Sequence, residues 1–172
     1  FADIEQYSVD EAFVYPADGI DFLGYGLRAR ATILKWIGIP CGIGFAPTKT
    51  LAKIANHIAK KTSDGVFVLP ENPSEILAQT PVGEVWGVGR RLAPKLERDR
   101  IHLAETPEGK LSKKYGVMLV RTALELRGVA CKDESHSDDN GLSQSLTCSR
   151  CFGSPVRDFE SLSQSVAYYL GR

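Results

Sequence analysis

A chain of 172 residues, 43% hydrophobic and 24% charged, is ordinary globular material, long enough for one sizeable core or for two or three small modules. No apolar run approaches a bilayer span and no basic segment with an apolar run behind it opens the sequence, so neither a membrane class nor a secretory leader is suggested and a cytoplasmic protein is expected. The formal charge of zero argues at first against a polyanionic partner, but it hides a segregation: residues 22 to 63 contain no acid and carry Arg28, Arg30, Lys35, Lys49, Lys53, Lys60 and Lys61.

Acids gather instead near the start, at Asp3, Glu5, Asp10, Glu11, Asp18 and Asp21, and again between Asp133 and Asp139. The basic part can therefore meet phosphate locally without the whole chain being basic. The cysteines Cys41, Cys131, Cys148 and Cys151 do not make a disulfide framework in a chain with no secretory signal. Cys148 and Cys151 form a C-x-x-C, but no second pair follows, and in an alternating stretch positions three apart face opposite sides, which disfavours zinc.

In chain order, residues 7 to 15 mix aromatic and branched residues with two adjacent acids and read as a strand ending at Pro16 and the Asp18-Gly19 turn. Leu27, Ile33, Leu34 and Ile37 recur at helical spacing over 22 to 37, and Gly38 ends that helix. A glycine-containing buried strand over 39 to 46 follows, and Thr48 then serves as N-cap of a helix over 49 to 61.

On that helix, at about 100° per residue, Lys53 and Lys60 fall roughly 40° and 20° from Lys49, with Asn56 close by. Leu51, Ile54, Ala55 and Ile58 take the opposite face and are expected to pack on the sheet. A solvated lysine face is the commoner meaning of such a pattern; a phosphate-binding face is the other. A short strand over 66 to 69 precedes a polar turn and then compact helical pieces over 80 to 86 and 90 to 98, separated by Gly87-Val88-Gly89. Two short helices joined by Gly-x-Gly suggest a helix-hairpin-helix, with Arg90 and Arg91 at the second helix start facing a phosphate backbone; a plain αα-hairpin with a glycine cap is the alternative. Pro94 is tolerated only near that helix's first turn.

Residues 111 to 126 read as further helix, broken near Gly116; 128 to 141 is polar, acidic and without periodicity, a linker. A strand over 142 to 152 and a helix over 159 to 170 open a new module.

The adjacent Asp10 and Glu11 are weak evidence alone, since neighbouring strand residues point to opposite faces. Their weight rises because a carboxylate pair ahead of a lysine-faced helix is what phosphoryl transfer needs: carboxylates hold divalent ions, and lysines neutralise the phosphates being displaced.

Tyr7-Ser8-Val9-Asp10-Glu11-Ala12-Phe13 resembles a motif of the Y-family DNA polymerases. Ala46-Pro47-Thr48-Lys49-Thr50-Leu51-Ala52-Lys53-Ile54-Ala55-Asn56 is similar, almost letter for letter, to the palm motif of that family's UmuC-like (ImpB/MucB/SamB) translesion branch. Trp86-Gly87-Val88-Gly89 stands where the family's thumb has a hairpin, and Cys148-Ser149-Arg150-Cys151-Phe152-Gly153 resembles the opening strand of its little finger. The resemblance implies an α+β fold: a partial, ferredoxin-like palm over 1 to 70, an all-α thumb with helix-hairpin-helix over 71 to 127, the linker over 128 to 141, and the first strand and helix of the little finger over 142 to 172. It implies that Asp10 and Glu11 are catalytic ligands of two Mg2+ ions and that Lys60, helped by Lys53 and Lys49, meets the deoxynucleoside triphosphate. Gly87, Gly89, Arg90 and Arg91 would hold primer-template DNA. Implied partners are a UmuD-like subunit, a sliding clamp and RecA.

By the same resemblance the family's first metal-binding aspartate and its fingers would lie upstream of Phe1, so the chain is expected to be an internal piece, inactive alone. A non-catalytic helix-hairpin-helix DNA-binding module is the alternative. A P-loop nucleotide enzyme is disfavoured, because Pro47-Thr48-Lys49-Thr50 lacks the glycines of a phosphate cradle.

Overall fold

The computed structural model describes residues 3–17, 19–131, 158–161 and 163–164. The chain forms two compact units, Phe1–Glu134 and Ser135–Arg172. In the second, residues 159–161 and 163–164 are helical, and Asp158 Oδ1 accepts the Ser161 amide at 2.8 Å, capping the start of the helix expected over 159 to 170. The expected strand over 142 to 152, Cys148 and Cys151 and most of the linker lie outside the described residues.

The first unit opens on a β-hairpin, β1 (Asp3–Gln6) antiparallel to β2 (Ala12–Tyr15), with Ile4 opposite Val14 and Glu5 opposite Phe13. This corrects the single strand expected over 7 to 15. Residues 7 to 11 are the turn between the strands: the amides of Tyr7 and Ser8 both donate to the Glu11 carbonyl at 3.0 Å. The cause is local, since the Ser8 hydroxyl donates to Asp10 Oδ1 at 2.7 Å and accepts from the Asp10 amide at 3.4 Å. Short polar side chains that bond their own backbone offer the chain an alternative to the ladder.

Helix α1 (Phe22–Ile37) has the expected bounds, because both ends are written locally: Asp21 accepts the Gly24 amide, and Gly38 closes the helix at φ 78°. β3 (Ile43–Phe45), α2 (Lys49–Ala59) and β4 (Val66–Val68) make a parallel strand–helix–strand unit with Ile43 opposite Val66. α2 comes down directly on β3. A Cβ at Gly44 would lie 2.7 Å from the Asn56 Cα, so only glycine allows that approach. Thr48 caps α2 as expected, accepting the Leu51 amide at 3.3 Å.

The remainder of the first unit is helical: α3 (Ser74–Gln79), α4 (Ala93–Arg98), α5 (Glu108–Tyr115) and α6 (Val117–Leu126). Gly116, at φ 86°, separates the last two where a break was expected. Two expectations need correction here. The piece over 80 to 86 is only a 3-10 turn, Val82–Glu84, and the second begins at Ala93 rather than residue 90. Pro94 fixes that start, since proline fits a helix only in its first turn. One apolar core runs through the unit: Leu51, Ile54 and Ala55 of α2 share it with Leu96, Leu111, Leu119, Ala123 and Leu126. The apolar face of α2 is therefore covered by helices as well as by strands. Among the described residues no helix is long and apolar enough to cross a membrane.

A polar pin closes α4 on α5. Asp99 accepts from the Tyr115 hydroxyl and from Lys114 Nζ at 2.7 Å, and these bonds, that of Lys114 first, hold its carboxyl down at about 2. The sign follows from linkage: a depressed carboxylate stabilises the fold above its unfolded value of 3.8 and loses that contribution as pH falls towards 2. Asp99→Asn is expected to flatten the acid limb of thermal stability between those two values, measured by melting curves at stepped pH. An unchanged acid limb would contradict the pin.

Candidate active site

Three pieces of chain meet on one side of α2: the β1–β2 hairpin, the lysine face of the helix, and the segment around Trp86. Lys49, the first residue of α2, is 8% exposed and places Nζ 2.5 Å from Glu5 Oε2, which also accepts from the Tyr15 hydroxyl at 2.7 Å. Burial alone would raise the Glu5 carboxyl; the hydrogen bonds from Lys49 and Tyr15, with the charge of Lys49, outweigh it and hold Glu5 below its ordinary value. Burial likewise opposes the ammonium of Lys49, and its bonds to Glu5 and Tyr15 win and raise it. Tyr15 is pushed up by burial and by Glu5.

One turn along the helix, Lys53 Nζ stands 2.6 Å from Glu11 Oε2. Its ammonium is also 4.1 Å from the centre of the Tyr7 ring, 5.7 Å from that of Trp86 and 5.9 Å from that of Phe13. The shared lysine face drawn from helical periodicity exists, but in this structure both its inner members rest on carboxylates of the hairpin. Lys60 differs. It caps the C-terminus of α2 just beyond Ala59, is exposed, and has no acidic partner among the described residues. Its stem runs past Gly42, where a Cβ would lie 2.8 Å from the Lys60 Cγ and 2.7 Å from the buried Asn56 Oδ1.

Asp10 and Glu11 sit together in the hairpin turn, Asp10 exposed and Glu11 partly buried. Among the described residues no group of three His, Cys, Asp or Glu side chains is arranged to hold a metal ion. Two adjacent carboxylates nonetheless suit Mg2+, a hard cation that commonly takes one or two protein carboxylates and completes its shell with water and substrate phosphate.

Gly87 adopts φ 94°, a conformation open to glycine, and turns the chain after Trp86. The amides of Leu92 and Ala93 both donate to the Gly89 carbonyl, at 2.9 and 3.1 Å, so Gly89 anchors the turn from which α4 rises. Arg90 and Arg91 lie in that turn, exposed, with no acidic partner among the described residues. Trp86 crosses back to the hairpin, its Nε1 donating to the Tyr7 hydroxyl at 3.0 Å.

Sequence reasoning missed Glu5, Tyr15, Trp86 and Glu125. The last is 1% exposed, and its carboxylate accepts the Thr50 amide in the first turn of α2. An acid between Leu124 and Leu126 at the end of α6 was a visible signal of a buried partner. Glu5 and Tyr15 carried none, since their partner is distant in the chain.

Known proteins resemble this chain along nearly its whole length. The model of the impB/mucB/samB family matches residues 1–57. Protein UmuC of Salmonella typhimurium is 40% identical across 98% of this chain, which spans 42% of that relative. Protein ImpB of the same organism is 37% identical with the same coverages, and DNA polymerase IV 2 of Bacillus subtilis is 35% identical over 66% of this chain and 30% of its own length. The chain belongs to the impB/mucB/samB family, the UmuC-like branch of the Y-family. It spans less than half the length of these relatives.

Proposed function

We propose that the whole protein is a translesion DNA polymerase, adding deoxynucleotides to a primer 3′ end opposite damaged template in DNA repair and the SOS response. In this reading the chain supplies part of the palm, the thumb and the start of the little finger. The observation that carries it is the hairpin turn that holds the consecutive acids Asp10 and Glu11, with Glu11 tied by Lys53 to the helix bearing the UmuC-like motif.

Asp10 and Glu11 would hold Mg2+, which when bound activates the primer hydroxyl and stabilises charge on the leaving pyrophosphate. Lys53 fixes the Glu11 carboxylate on the side facing α2, while Asp10 stays exposed with Oδ1 accepting the Ser8 hydroxyl. Lys49, committed to Glu5, holds the hairpin on the helix. Lys60, exposed and without an acidic partner among the described residues, is the lysine free to meet the triphosphate. Gly87 and Gly89 shape the turn that offers Arg90 and Arg91 to duplex phosphates, a contact that positions DNA without reading its sequence. The family resemblance adds a cytoplasmic location and a UmuD-like subunit, a sliding clamp and RecA as partners.

Template-directed primer extension by the full-length protein, dependent on added Mg2+, tests the reading. Duplex binding without extension would leave the non-catalytic DNA-binding module, in which Lys53–Glu11 is a surface ion pair. For the hairpin, replacing Arg90 and Arg91 together by Ala is expected to weaken duplex binding uniformly across sequences and to reduce the salt slope by about two. A changed sequence preference at an unchanged slope would overturn the phosphate assignment.

A further inference from the structure

Trp86 stands directly ahead of Gly87-Val88-Gly89, yet its side chain belongs to the carboxylate turn. The indole donates to the Tyr7 hydroxyl at 3.0 Å and meets the Tyr7 ring edge-on, with centroids 5.3 Å apart and planes at 88°. It also lies 5.8 Å from the Phe13 ring, which is itself 5.7 Å from Tyr7. Tyr7 opens the turn and Phe13 follows it, so the three rings clasp the loop that holds Asp10 and Glu11. Two routes lead from the indole to Glu11. One runs through Tyr7, whose amide donates to the Glu11 carbonyl at 3.0 Å. The other runs through the Lys53 ammonium, 5.7 Å from the indole and bonded to Glu11 Oε2 at 2.6 Å.

We propose that Trp86 is a positioning residue that couples the glycine hairpin to the carboxylate turn, so that duplex phosphates seated at residues 87 to 91 set the orientation of Asp10 and Glu11. This deepens the polymerase reading and rests on it. The indole is the only side chain of the hairpin shown bonded to the turn among the described residues, and it is rigid, with two rotatable bonds. Displacing the hairpin backbone displaces the donor that the Tyr7 hydroxyl accepts. Nucleotide addition is then favoured only when the hairpin is occupied by duplex.

The test is a double-mutant cycle in the full-length protein with Trp86→Phe and Tyr7→Phe, each of which removes the N–H···O bond and keeps a ring. Single-nucleotide incorporation at saturating DNA and nucleotide is expected to fall about fivefold in each variant and no further in the double variant. The dissociation constant for primer-template is expected to stay within about twofold, because neither ring is assigned a phosphate contact. Additive losses, unchanged rates, or a loss of DNA affinity matching the loss of rate would each overturn the coupling.

A second arm needs no activity. In fluorotryptophan-labelled protein, with the Trp86 resonance assigned by its loss in Trp86→Phe, adding primer-template duplex should shift that resonance, and Tyr7→Phe should abolish the shift. An unmoved resonance at duplex saturation, followed independently by anisotropy, overturns the coupling. Failure of the wild-type protein to extend any primer would instead overturn the polymerase reading, and the resonance arm would still judge the coupling by itself.

Discussion

Asp10→Asn and Glu11→Gln, each made in the full-length protein, are expected to lower primer extension on the order of a hundredfold to a thousandfold, the loss seen when one charge-stabilising group is removed from a preorganised site. Both changes remove a charge and keep a shape. The amide oxygen introduced by Asp10→Asn can still accept the Ser8 hydroxyl bond that shapes the turn, and the one introduced by Glu11→Gln can still accept from Lys53. Folding and duplex affinity should therefore persist, because the core is centred on Leu51, Leu96 and Leu111 and the arginines assigned to phosphate lie in another segment. The loss should appear in the maximal rate rather than in DNA binding, the mark of an interaction made chiefly in the transition state. Near-normal extension by either variant would withdraw the carboxylate from catalysis and leave the turn as a fold element tied to α2 by Lys53.

What could be read from the sequence divides along the distance over which each feature is encoded. The bounds of α1 were legible because Asp21 and Gly38 act within a few residues of themselves. So was the Thr48 cap, and so was the break at Gly116. The lysine face of α2 was also correct as geometry, since it follows from helical pitch alone. Its meaning was not, because the carboxylates that occupy Lys49 and Lys53 come from a hairpin far away in the chain. The strand expected over 7 to 15 failed for the opposite reason. Aromatic and branched residues argued for a strand, and the bonds between Ser8 and Asp10 decided for a turn. The turn frees the pair from strand alternation, which would send Asp10 and Glu11 to opposite faces; here Asp10 bonds Ser8 and Glu11 bonds Lys53. The second helical piece began late for a reason that was legible, since Pro94 permits only a start close to itself.

Glu125→Ala is expected to destabilise the first unit strongly while leaving every proposed DNA and nucleotide contact in place. Glu125 is 1% exposed on α6, and its two carboxylate oxygens accept from different amides: Oε2 from Thr50 and Oε1 from Cys131, each at 2.8 Å. Its own carbonyl accepts the Thr48 hydroxyl at 2.8 Å, so backbone and side chain together hold the N-terminus of α2. A carboxylate there answers the partial positive charge of the helix end as well as its unbonded first-turn amides. Alanine would remove the acceptor for two amides, one of them in the fully buried Thr50, and open a cavity beside it. The cost is about 3 kcal/mol, from buried donors losing a charged acceptor. Glu125→Gln should cost less, about 1 to 2 kcal/mol, because its amide oxygen keeps one of the two bonds while its NH2 group faces the other amide. Hydrogen exchange gives the local readout: protection of the Thr50 and Leu51 amides should fall on the order of a hundredfold in the Ala variant and less in the Gln variant. Because α2 carries Lys53, and Lys53 holds Glu11, loosening its first turn should also weaken primer extension at temperatures well below unfolding. Equal exchange rates in wild type and Glu125→Ala would mean that α2 holds its N-terminus without this carboxylate, and the link from α6 to the Asp10–Glu11 turn would be lost with it.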